Sequence, residues 1–108
     1  MADQLPHPQQ TDPLGLKTFA LSESAYDLTC SLRGIYGRLC HAERQEFDVD
    51  QTLINSWQNR SKEIGRAYRR LGGKSLPEIG EFITSITTEW RELTALETER
   101  TLAPAHVH

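Results

Sequence analysis

Apolar side chains recur along most of this chain at alternating steps of four and three, the spacing that puts them on one side of an α-helix. The first run is Leu21, Ala25, Leu28, Leu32, Ile35 and Leu39. It predicts a helix from residue 22 or 24 to residue 45, with Ser22 or Ser24 as N-cap. The second run is Leu53, Trp57, Ile64, Tyr68 and Leu71, flanked by Ile54 and Ala67, with Ser61 where an apolar residue is missing. It predicts a helix over residues 49–71, capped by Asp48 and stopped by Gly72 and Gly73. The third run is Ile79, Ile83, Ile86, Trp90 and Leu93, with Phe82 and Leu96 beside it. Its start is marked by Ser75-Leu76-Pro77-Glu78, a capping box with proline in the first turn, and it should end before Pro104. Residues 82–88 are rich in β-branched side chains that also suit a strand. The capping box and the sustained spacing favour the helix.

Three helices of roughly 22–26 residues are each about 33–39 Å long, and short connections make neighbours antiparallel. The expectation is an all-α, three-helix antiparallel bundle over residues 21–103. Residues 1–20 read as a Pro/Gln-rich tail, flexible or ordered by a partner, and residues 104–108 as a second tail. Leu14, Leu16, Phe19 and Leu21 form an apolar cluster at the end of the first tail that could strap it to the domain or to a partner. Gly34, Gly37, Gly65 and Gly80 fall inside the helices, each weakening its helix by about 0.5–1 kcal/mol relative to alanine. They leave room for close helix packing or for the close approach of a partner.

The 108 residues suffice for one domain. A net charge of −3 argues against binding of nucleic acid or anionic membrane by the surface as a whole, while allowing a local basic patch. No stretch approaches the roughly 20 apolar residues of a membrane span. The first basic residue is Lys17, and Pro6, Pro8 and Pro13 interrupt any apolar run before it, so no signal peptide is expected and the expected compartment is the cytoplasm. Cys30 and Cys40 are separated by about 15 Å on one continuous helix, too far for a disulfide within the chain, so reduced, mostly packed thiols are expected, with an intermolecular disulfide as the alternative.

No catalytic, metal or cofactor site is expected. The sequence lacks a phosphate-binding glycine loop, a nucleophile elbow, C-x-x-C and H-E-x-x-H. His7, His106 and His108 fall in the tails, and His41 points about 100° away from its neighbour Cys40 on a helix. Glu78 with Glu81, and Glu89 with Glu92, share helical faces, but no third group completes an acid–base site. These absences point to a non-enzymatic chain without a small-molecule substrate.

Charge is distributed unevenly. Arg60, Lys62, Arg66, Arg69, Arg70 and Lys74 make the second helix and its end basic, whereas the third helix is acidic. On the first helix, Tyr26, Cys30, Arg33, Gly37 and Arg44 line up, and Tyr36 and Arg38 add the aromatic and arginine composition of interface hot spots. Two functions follow. In the first, the chain is a small interaction subunit or adaptor that docks on a larger protein assembly or self-associates, with contacts from Phe19, Tyr26, Arg33, Tyr36 and Arg38. In the alternative, it is a nucleic-acid-backbone-binding subunit using Arg60, Lys62, Arg66, Arg69, Arg70 and Lys74. The acidic third helix beside that stripe, and the lack of interleaved aromatics, weigh against the alternative.

Overall fold

A computed structural model describes residues 16–102 and contains three helices. They are α1 (Leu16–Arg44), α2 (Gln51–Arg69) and α3 (Leu76–Leu102). Among the described residues there is no strand, and the fold is an all-α bundle. The register follows from side-chain pairs. Tyr26 meets Tyr68, Arg33 meets Ser61 and Cys40 meets the Ile54 carbonyl, so α1 and α2 run antiparallel. Ser31 meets Trp90 and Arg38 meets Glu97, both 59 positions apart, so α1 and α3 run parallel in a constant register. α1 carries the main packing interface with each of the other two.

The predicted apolar stripes form the core. Leu32, Ile35 and Leu39 of α1, Ile54, Trp57 and Ile64 of α2, and Ile86 of α3 are buried in one cluster, with Leu28, Leu53, Phe82, Trp90, Leu93 and Leu96 packed against it. Ala25 and Ile79 are buried as well, toward the other end. The β-branched stretch of α3 is helical throughout. Thr87 and Thr88 return their hydroxyls to the carbonyls of Ile83 (2.6 Å) and Thr84 (3.2 Å), which satisfies these side chains within the helix.

The helix ends differ from expectation in two places. α1 begins at Leu16, so residues 16–20, read as the end of a tail, are its first turns, and Ser22 and Ser24 lie inside it. Thr18 and Ser22 line a depression together with Leu71 and Ile79 at the turn between α2 and α3, while Leu16 and Phe19 of the added turns are exposed. Leu14 and the remainder of the expected N-terminal tail, and residues 104–108 with His106 and His108, lie outside the described residues. The N-cap of α2 is Asp50 rather than Asp48: its carboxylate accepts from the Leu53 amide at 3.0 Å. The Glu43 carboxylate of α1 accepts from the Asp50 amide at 3.0 Å, and this tie selects Asp50 over its neighbour.

The glycine stop after α2 and the start of α3 are as the sequence implies. After α2, Gly73 adopts φ +81°, a left-handed conformation that turns the chain toward α3. The capping box closes as two reciprocal bonds, Ser75 amide to Glu78 carboxylate at 3.0 Å and Glu78 amide to Ser75 hydroxyl at 3.4 Å. No described helix is long and apolar enough to cross a membrane.

Leu32 is fully buried at the centre of the cluster. Replacing it with alanine should lower unfolding free energy by about 2–5 kcal/mol, read as a shifted urea midpoint with an unchanged slope.

Candidate functional site

The stripe that buries α1 against α3 leaves the opposite edge of its α2 interface open. There, Arg33, Gly37 and Arg44 of α1 face Gln58, Ser61 and Lys62 of α2 across a groove of about 330 Å³, with Tyr36 and Cys40 at its floor. The antiparallel register puts Ser61, the gap in the apolar run of α2, opposite Arg33, whose Nε donates to the Ser61 hydroxyl at 3.1 Å. Gly65 then makes space for the rest of that guanidinium. A Cβ at residue 65 would lie 2.7 Å from Arg33 Nη1 and 3.6 Å from Arg69 Nη1, so two guanidinium groups converge over one glycine. At Gly37 a Cβ would meet nothing within 4 Å, and the floor of the groove is open there.

Arg69 also walls a second depression of about 390 Å³ at the turn between α2 and α3, shared with Lys74 and the Gly72–Gly73 pair. Tyr26 and Tyr68 stand on the same α1–α2 interface, ring centroids 5.9 Å apart and tilted by 58°. The result is a cationic band along α1 and α2. Among the described residues, Arg33, Arg44, Lys62, Arg66, Arg69 and Arg70 form no ion pair, and no carboxylate lines either depression.

Three glutamates are engaged at contacts with α3. Glu89 of α3 is bound by Arg60 through two hydrogen bonds, 2.9 and 2.6 Å, and accepts a third from the Tyr36 hydroxyl. Burial pushes the Glu89 carboxyl up, but the bonds from Arg60 and Tyr36 and the charge of Arg60 outweigh it, so it titrates below its ordinary value. Burial, then the Glu89 hydrogen bond, raises the Tyr36 hydroxyl, and the Glu89 hydrogen bond raises Arg60. Glu97 is held by Arg38 at 2.7 and 3.1 Å, which lowers its carboxyl. Buried Glu43 is lowered first by the Asp50 amide and then by Arg100, 2.8 Å away, whose guanidinium also covers the Trp57 ring at 5.6 Å.

The proposed contact residues are therefore redistributed. Tyr36 was expected to face a partner but is 6% exposed and turned toward Glu89, because its ring completes the core beside Leu32 and Ile35. Arg60 was expected in the basic stripe but is drawn to α3 by Glu89. Arg38 is exposed on the α3 side and paired with Glu97, away from Arg33. Phe19 is 64% exposed on the first turns of α1. Arg33, from the proposed protein-binding set, faces Lys62, from the proposed nucleic-acid set, across the groove and meets Arg69 over Gly65, while Tyr26 lies further along the same α1–α2 interface against Tyr68. Sequence reasoning missed Gln58 and the pairing of Ser61 with Arg33; the interrupted apolar run at Ser61 was the available signal. It also missed the Tyr36–Glu89–Arg60 cluster, which needs the relative rotation of all three helices. Cys30 is exposed and Cys40 buried, both free, and burial raises the Cys40 thiol.

No family model, curated protein or solved structure matches the chain.

Glu43, Glu89 and Glu97 all titrate lower in the fold than in the unfolded chain, where a glutamate sits at about 4.3. Their contribution to stability is complete above that value and is lost as pH falls through the folded values. Thermal melts should be flat from about pH 7 to pH 5 and fall steeply below about pH 4.5. Glu89→Gln should lower the melting temperature at neutral pH and reduce the acid-induced drop.

Proposed function

We propose that this chain is a non-enzymatic interaction module that docks on a protein assembly by receiving an acidic segment of its partner in the groove between α1 and α2. The observation that carries this reading is a line of cations left without acids in a chain whose net charge is −3. Arg33, Arg44 and Lys62 border a trough with a glycine on its floor, so backbone or small side chains can come close and carboxylates can reach cations on both walls. Two guanidinium groups over Gly65 repel each other, and an arriving carboxylate relieves that repulsion while accepting hydrogen bonds from both.

A second reading, a nucleic-acid backbone held by the same groove, is favoured by one observation. Tyr26 and Tyr68 share the interface with Arg33 and Arg69, which supplies the aromatic neighbour a base could stack on. The net negative charge of the chain and the diversion of Arg60 to Glu89 favour the protein partner.

Fluorescence anisotropy with a labelled glutamate-rich helical peptide, and in parallel a single-stranded oligonucleotide, tests both readings. The peptide should bind more tightly at about 50 mM than at about 300 mM salt, because the contacts are exposed charges. Arg33→Glu combined with Lys62→Glu should weaken it by about tenfold or more, whereas Arg91→Glu on α3, outside the groove, should not. Unchanged affinity in the groove variant would sink the proposal. Tighter binding of the oligonucleotide, lost in the same variant, would shift the function to nucleic acid.

Gly65→Ala isolates the placement of Arg33 from its charge. A Cβ displaces the flexible Arg33 guanidinium while raising helix propensity. Chemical denaturation should show stability unchanged or higher by about 0.5–1 kcal/mol, while peptide affinity falls.

A further inference from the structure

The groove has a counterpart on the same chain. Glu81, Ser85, Thr88, Glu92, Ala95 and Glu99 of α3 are all exposed and recur at steps of four and three. They form a second stripe on α3, separate from the one that Ile79, Ile86 and Leu93 turn toward the bundle. Among the described residues, Glu81, Glu92 and Glu99 form no ion pair. Glu81 and Glu92 are eleven positions apart, three turns to within about 20°, which places them on one line about 16 Å apart. Arg33 and Arg44 are also eleven positions apart on α1. Between each pair of charges small residues stand, Ser85 and Thr88 on α3, and Gly37 in the groove, with nothing within 4 Å of its Cβ position, while Tyr36 and Cys40 beside it are buried.

We infer that the groove of one copy receives the outer face of α3 from a second copy of this chain, an inference that rests on the groove reading proposed above. The two pairs match in sign and in the spacing of their helix positions, and the small residues allow the two surfaces to approach. The docked α3 occupies the place of a fourth helix beside α1 and α2. Donor face and acceptor groove are different surfaces, on α3 and on α1 with α2, and a contact made once between two copies is heterologous. A copy that fills its neighbour's groove keeps its own groove open, and association proceeds to a ring or a linear array instead of stopping at a symmetric dimer. The contact is polar and therefore salt-sensitive.

Sedimentation velocity of the full chain over a concentration series tests this. At low salt the average mass should rise with concentration past that of a dimer and return to the monomer at high salt. Arg33→Glu with Arg44→Glu, and separately Glu81→Lys with Glu92→Lys, should each remain monomeric while melting as the parent does. Mixed together they should associate, because the reversed face then meets the reversed groove. Should either variant fold poorly, an excess of the glutamate-rich peptide must disperse the parent assembly. A parent chain that stays monomeric at low salt, or a Glu81→Lys, Glu92→Lys variant that assembles like the parent, overturns the inference. If that monomeric chain still binds the peptide, the groove reading stands without it; if peptide binding is absent too, both fall.

Discussion

One carboxylate on α3 ties the three helices together. Glu89 accepts from Tyr36 of α1 and from Arg60 of α2, so its position fixes how both helices are turned about their axes. A half-buried ion pair of this kind adds little net stability once desolvation is counted, whereas removing one partner costs more because it strands the other. With Arg60 drawn toward α3, the residues on the other flank of α2 are turned to the open side. Ser61 and Lys62 consequently meet Arg33 and Arg44 across the groove, and Arg69 meets Arg33 over Gly65, instead of meeting acids.

This partition explains how a chain with net negative charge presents a cationic surface. Glu43, Glu89 and Glu97 are taken up by Arg100, Arg60 and Arg38 at contacts with α3. The cations on the far side have no such neighbours. Net charge describes the chain as a whole, whereas a bound partner senses the local potential within about a Debye length, some 8–10 Å. The acidic third helix, which in the sequence weighed against a nucleic acid, lies across α1 from the groove and is partly neutralised there.

Much of the fold was legible in the sequence. Steps of four and three identified three helices, because burying one face of each helix drives folding more than any local preference does, and it leaves a periodic trace. Ser75 and Glu78 marked the start of α3 without ambiguity, since a capping box is a local motif that needs no tertiary partner. Where tertiary contacts decide, local signals failed. Ser22 and Ser24 have the chemistry of caps but lie inside α1, which begins at Leu16, and Asp50 caps α2 in place of Asp48, its amide held by the Glu43 carboxylate. The site was legible only as fragments. Arg33 and Lys62 were each visible on their own helices, but their juxtaposition depends on antiparallel register. Tyr36 and Arg60 are chemically suited to a surface, and only the helix rotations show that both face Glu89.

An odd number of rods also has an electrical consequence. α1 and α3 point the same way and α2 the other, so two peptide dipoles add and one subtracts, leaving about one helix's worth uncancelled, near half a charge at each end. His41 and Arg44 close α1 and Arg100 lies in the last turn of α3, which softens the negative pole. The molecule is thus a polar rod with a distinguishable head and foot, and any field or neighbour that acts along its axis will orient it in one sense.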